Sequence, residues 1–155
     1  MKIAIKVVAI DPNTIINNNV VISDNVIVGD DCYIKSGAII GEDGFAFEFE
    51  QNGSPVRMPH IGNVVIGSNV EIGSNSIIVR GTLNSTIIEN GVKIDDHVFI
   101  AHNCHISSNT MIIAFAEISG SVIVGKNCWI GPNSSIIQKV NIGDNSLIGI
   151  GAIIT

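Results

Sequence analysis

The sequence predicts an all-β fold, a parallel β-helix of stacked triangular coils, and three observations predict it. From Ile88 to Ile154 every sixth residue is Ile or Val, and the same step runs through Ile10–Ile40 and Ile66–Ile78. Three places after these aliphatics the chain repeatedly carries Asn, Asp or Gly, residues that tolerate the positive φ of a sharp corner. Apolar residues make up 46% of the chain and charged residues 14%, a balance suited to a core strung along an axis. A period of six matches neither an amphipathic helix nor a half-buried strand. Each hexad is therefore read as a strand of about three residues and a corner, with neighbouring strands about 4.8 Å apart.

Taken in order, hexads begin at Ile10 and run through Ile16, Ile22, Val28, Ile34 and Ile40. Asn13, Asn19, Asn25, Asp31, Gly37 and Asp43 supply the corners. The beat then breaks over residues 41–63, which hold Phe45, Phe47 and Phe49, and a loop or hairpin projecting from one corner is expected. Hexads resume at Ile66, Ile72 and Ile78. A short insertion at residues 80–84 follows, because the step to Ile88 is ten. The remaining hexads reach Ile154, with His97 and Phe115 standing at corners where Asn or Gly is usual. Residues 1–155 read as one domain.

Phase also sorts the side chains. Cys32, Cys104 and Cys128 each lie two residues before a beat position, so they are expected as buried thiols rather than disulfide or metal ligands. Outward positions fall into three columns, and one of them holds Lys93, Met111, Trp129 and Leu147. Such an apolar face predicts a subunit interface, and a homotrimer with sites between subunits is the preferred reading. A net charge of −6 argues against nucleic acid as a partner, since phosphate binding needs a basic stripe. No apolar run approaches the roughly 18 residues of a membrane span. The lysine-bearing start does not read as a signal peptide, and a cytoplasmic protein is expected.

Three segments narrow the function: GEDGFAFE from Gly41, PHIGNVVIGSNVEIGSNSIIVRGTL from Pro59, and VKIDDHVFIAHN ending at Asn103. Together they resemble the UDP-3-O-acylglucosamine N-acyltransferases of lipid A synthesis, within the hexapeptide-repeat acyltransferases. The family pattern is close to GxDGFGF, PQxGxVxIGxxVEIGxNxxIDRGxxxDT and VKIDNxVQIAHN. The resemblance covers the β-helix portion, from about Val8 to Thr155. It implies a left-handed helix, an exception to the usual right-handed crossover, assembled as a trimer. The family's uridine-binding domain and helical extension have no counterpart in these 155 residues, so the donor, acyl carrier protein or acyl-CoA, stays open. No permanently bound cofactor is expected.

By the same resemblance His102 is the general base, a role suited to a neutral imidazole near neutral pH. Counting one 18-residue coil onward reaches Gly120, whose missing side chain leaves space beside the imidazole and whose N–H is an oxyanion donor. Asp95 matches a family Asp and is expected to orient the base across a subunit boundary. Phe45, Phe47, Asn103, Gln138, Lys139 and Trp129 are candidates for binding donor or acceptor. Lys139 stands where the family has a second His. The reading is thus an N-acyltransferase moving an acyl group from a thioester to the amine of a nucleotide-linked amino sugar. Alternatives are an acetyl-CoA-dependent sugar acetyltransferase, a non-catalytic solenoid, and a gamma-type carbonic anhydrase with zinc on His97 and His102. The zinc reading lacks a third ligand, since Val79 and Asn84 stand 18 residues earlier, and no metal is expected.

Overall fold

The computed structural model describes residues 9–155; the signal-peptide reading of the first residues lies outside them. The chain winds as a parallel β-helix with three faces of seven short strands each. The first face runs Ala9–Ile10, Ile27–Val28, Val64–Ile66, Thr86–Ile88, His105–Ile106, Ile123–Val124, Asn141–Ile142. The second face begins at Ile15–Ile16 and ends at Leu147–Ile148, and the third begins at Val21–Ile22 and ends at Ile153–Ile154.

The beat residues line the interior as predicted. Ile34, Ile72, Ile94, Ile112 and Ile130 stack up one face within 2% exposure, each paired in register with the next. Burying an Ile contributes about 1.5–3 kcal/mol, so this ladder supplies the main driving force. The three cysteines are buried and free, and each also does something a plain hydrophobe would not. Cys32, Cys104 and Cys128 point their thiols at the carbonyls of Gly67, Ser119 and Gly143, all at 3.1 Å. Thr14, Ser76 and Thr110, in the same phase, donate hydroxyls to the corner carbonyls of Gly29, Asp95 and Gly125. At these six inward positions a small residue therefore satisfies a carbonyl of the adjacent coil that the strand ladder leaves unpaired, whereas Ser134 and Ser146 donate within their own coil to Gly131 and Gly143.

Among the described residues the corners adopt the expected left-handed conformation at Asn19, Asn25, Asp31 and eleven further non-glycine positions, His97 and Phe115 among them. Ser121 and Lys139 belong to this set, although neither is a residue type that favours it; Asn13 and Asp43 do not. The rings of His97 and Phe115 stack with centroids 4.9 Å apart and planes within 5°.

Both interruptions leave the helix at the same vertex, between the third and first faces. Strand pairing skips 38 residues across the first (Ile39 to Ile77) and 22 across the second (Ile77 to Phe99). The first excursion is an antiparallel hairpin, Phe47–Phe49 against Pro55–Arg57, turned at Gly53, whose φ is +82°. The Arg57 guanidinium covers the Phe47 ring at 4.8 Å and donates to the Gly44 carbonyl at 3.1 Å. The second excursion is not a simple surface bulge. Its Arg80 is 9% exposed and donates to the carbonyls of Gly41 and Asp24 and to the Asp24 carboxylate, tying the hairpin's base to the tube. Gly81 permits the crossing, because a Cβ there would collide with the Asn84 backbone.

Candidate active site

His102 and Gly120 occupy successive coils of the vertex from which both excursions emerge, following Phe99–Ile100 and Glu117–Ile118. The contact foreseen between them is real. A Cβ on Gly120 would lie 2.6 Å from His102 Cε1 and 2.7 Å from Nε2. The imidazole thus fills the space a side chain would take, with its Nε2 edge against the glycine.

The ring is held from behind by Asn103. Its Oδ1 accepts from the Thr82 N–H at 3.1 Å and the Thr82 hydroxyl at 2.8 Å, and lies 3.1 Å from His102 Nδ1. An oxygen already committed as an acceptor requires Nδ1 to carry the proton, which leaves the lone pair on Nε2. Asn103 is therefore an orienting residue for His102. Its own N–H donates to the Oγ of Thr86, which is fully buried, so the strand core fixes the corner that carries the base.

Gly120 has a second property. At four corners the side chain in this position caps the N–H one coil earlier: Ser68 accepts from Asp30, Asn90 from Ser68, Asp96 from Ser74 and Asp144 from Lys126. The residue one coil beyond Gly120 is Gln138, and among the described residues the Gly120 N–H donates to none. An uncapped amide beside an imidazole lone pair is the pairing that acyl transfer needs.

A cleft of about 330 Å³ opens at this place. Phe45, Phe99 and Ile137 form its apolar side, and His102, Gly120, Gln138, Glu117 and Ser119 its polar side. The excursion brings Phe45 to the cleft and packs it against Phe47, with centroids 4.8 Å apart and planes tilted by 56°. A second, more apolar groove of about 540 Å³ continues from Phe45 past Phe49, Met58 and Leu83.

Three residues that sequence reasoning did not single out belong here. Two are Glu117 and Ser119; the outward phase of Glu117 was legible, but not that its column faces the cleft. His60 is the other. It had no assigned geometry in the loop, yet it is 4% exposed and packs edge-on to His102, with ring centroids 5.6 Å apart at 69°. Neither ring nitrogen makes a well-formed hydrogen bond; the Met58 carbonyl pulls only weakly. Burial pushes the His60 pKa below its usual value, partly opposed by the Asp43 carboxylate, so it sits against His102 as a neutral ring.

Other candidates lie elsewhere in the single chain. Asp95 follows Lys93–Ile94 at the vertex between the second and third faces, where its carboxylate accepts from the amides of Asp96 and Ala114. Within one chain it does not meet His102. Trp129 stands on the second face between Met111 and Leu147, in the apolar column the sequence indicated. Lys139 is exposed at the corner next to Gln138. The zinc comparison is corrected in register: across the insertion the offset is 22 residues, so Asn75 and Arg80, not Val79 and Asn84, precede His97 and His102. Those two His stand at different vertices, and among the described residues no three His, Cys, Asp or Glu are grouped for a metal ion.

The bacterial transferase hexapeptide (six repeats) family model matches residues 121–155. Over those residues the chain is similar to the hexapeptide-repeat transferases. Over 88 residues, 57% of the chain, it is 56% identical to the UDP-3-O-acylglucosamine N-acyltransferase of Chlorobium chlorochromatii. It is 51% identical over the same length to the one from Coxiella burnetii. The chain's matched part spans only 24% and 26% of those relatives. Among solved structures it resembles LpxA from Acinetobacter baumannii, with a TM-score of 0.73 and 20% identity over 96% of this chain and 65% of that one. This likeness shows the fold, the left-handed β-helix. No helix among the described residues is long and apolar enough to cross a membrane.

Proposed function

We propose that the chain catalyses N-acyl transfer from a thioester to the amine of a nucleotide-linked amino sugar, as the names of its relatives suggest. The observation that carries this reading is the His102 Nε2 edge set against the uncapped Gly120 amide in one cleft. The amine nitrogen attacks the thioester carbonyl while Nε2 takes its proton. The oxyanion forms toward the Gly120 N–H. Collapse re-forms the carbonyl and expels the thiolate, which receives the proton from the imidazolium, so that an amide and a free thiol leave. Asn103 keeps Nδ1–H engaged throughout and so preserves the reactive tautomer. His60 supplies a neutral wall behind the ring.

The apolar groove from Phe45 to Met58 offers the acyl chain or pantetheine arm a path under the hairpin. Phe47 lines that groove and Gln138 the neighbouring cleft, and in this reading they and Lys139, next to Gln138 in the sequence, bind donor or acceptor. The second-face column of Met111, Trp129 and Leu147, exposed in one chain, fits burial in a homotrimer. Asp95 and Trp129 would then meet the site from a neighbouring subunit. Acyl-CoA and acyl carrier protein donors of several chain lengths, each tested against amino-sugar nucleotides, decide the reading. Amide formation with at least one pair supports it; thioester hydrolysis without transfer to any amine overturns it.

A further inference from the structure

We infer that Glu117 forms a cation subsite in the cleft, where it selects an acceptor bearing a protonated amine over one bearing a hydroxyl. The inference rests on the acyl-transfer reading for its chemistry, but not for its binding test. The outward column of the third face is uncharged around this residue: Ile39, Ile77 and Phe99 precede it, and Ser135 and Ile153 follow. A single carboxylate in such a column has no role in the strand ladder, and half-desolvated it is costly without a partner.

Its surroundings say what the partner is. The Ser119 hydroxyl donates to Glu117 Oε1 at 2.9 Å, in the lining of the cleft, and among the described residues no hydrogen bond reaches Oε2. Among the described residues no Lys, Arg or His forms an ion pair with it. Ser119 is the residue before Gly120, so the carboxylate and the uncapped amide lie on the same coil, with His102 one coil away. A ligand whose cation sits on Glu117 is therefore held in the cleft that His102 also lines. An amino sugar arrives largely as an ammonium ion. Docked on Glu117 it releases one proton to solvent, its lone pair then attacks, and the second proton passes to His102. A hydroxyl sugar offers no positive charge and gains nothing from the carboxylate.

The test compares UDP-glucosamine with UDP-glucose, which differ at one position by amine against hydroxyl, by calorimetric binding to the wild-type chain and to Glu117→Gln and Glu117→Asp. A charge-assisted contact of this kind corresponds to about a tenfold preference. The wild type is expected to favour the amine by about that factor, Glu117→Gln to lose the preference, and Glu117→Asp to keep part of it. Melting temperature and oligomeric state, measured alongside, are expected to stay unchanged. Equal affinity of the wild type for the two nucleotides, or a preference that survives in Glu117→Gln, overturns the inference. So does disassembly of the Glu117→Gln protein, which would assign the carboxylate to a subunit contact. Binding selectivity without acyl transfer from any donor would instead defeat the transfer reading and leave the subsite standing.

Discussion

Replacing Gly120 by Ala separates catalysis from folding. The backbone there is not in the left-handed region, so Ala costs no strain, and the three atoms nearest to an added methyl all belong to the His102 ring, two of them at 2.6 and 2.7 Å. Restoring ordinary contact at about 3.4 Å requires the ring to retreat by about 0.8 Å, the distance from 2.6 to 3.4 Å. The ring cannot retreat freely, because His60 closes the space near it and Asn103 holds Nδ1 at 3.1 Å. A misplacement near 1 Å at a reacting group costs about 100-fold in rate. The predicted outcome for Gly120→Ala is therefore a kcat lower by about two orders of magnitude, with melting temperature within a few degrees of wild type. Steady-state acyl transfer with saturating donor, paired with thermal melting, measures both. Wild-type kcat in Gly120→Ala would refute the placement of His102; a collapse in melting temperature would show that the glycine serves packing instead.

Other parts of the structure yield sharp expectations. Thr110→Val keeps volume but removes a fully buried hydroxyl that donates to Gly125 and accepts from the Cys128 N–H; loss of about 1–3 kcal/mol in chemical denaturation is expected, and an unchanged midpoint would contradict the capping role. Acidification should lower stability in two stages. The unfolded chain protonates His60 near its ordinary value of 6.5 while burial keeps the folded ring neutral, so stability begins to fall as pH drops below that value. Hydrogen bonds from Ser108 and His105 hold Glu89 down to about 2 from 4.5, and the Lys35 ammonium depresses Asp96, so their contributions are lost as pH falls below the ordinary carboxylate range. A melting temperature flat from pH 7 to pH 4 would contradict this order.

The repeat made the fold legible because one residue per hexad carries the burial, and that signal survives any uncertainty at the corners. The pairing of His102 with Gly120 was equally legible, since no insertion separates them and 18 residues make one coil. Across the insertion the same count failed: the offset became 22, and Arg80, not Asn84, is the residue before His102. Local sequence does not reveal that both excursions and the base share one vertex, because that depends on how many residues each excursion adds. His60 was illegible for the same reason; its burial arises from the hairpin folding back over Gly44 and Val79. Phase placed Glu117 outward, but outward on a solenoid means solvent unless something rises beside that face, and here Phe45 does. Lys139 shows the converse, a residue poorly suited to positive φ held there by the coil's regularity, at a cost of about 1–2 kcal/mol.

The central claim is tested most directly by the turnover of His102→Ala, whose side chain is half-buried at a corner and lies outside the aliphatic core. Loss of the base should lower acyl transfer by about 100- to 10,000-fold, with the β-rich circular dichroism spectrum and the melting temperature preserved. Turnover within about threefold of the unsubstituted protein would contradict the account, which assigns to His102 the proton of the attacking amine.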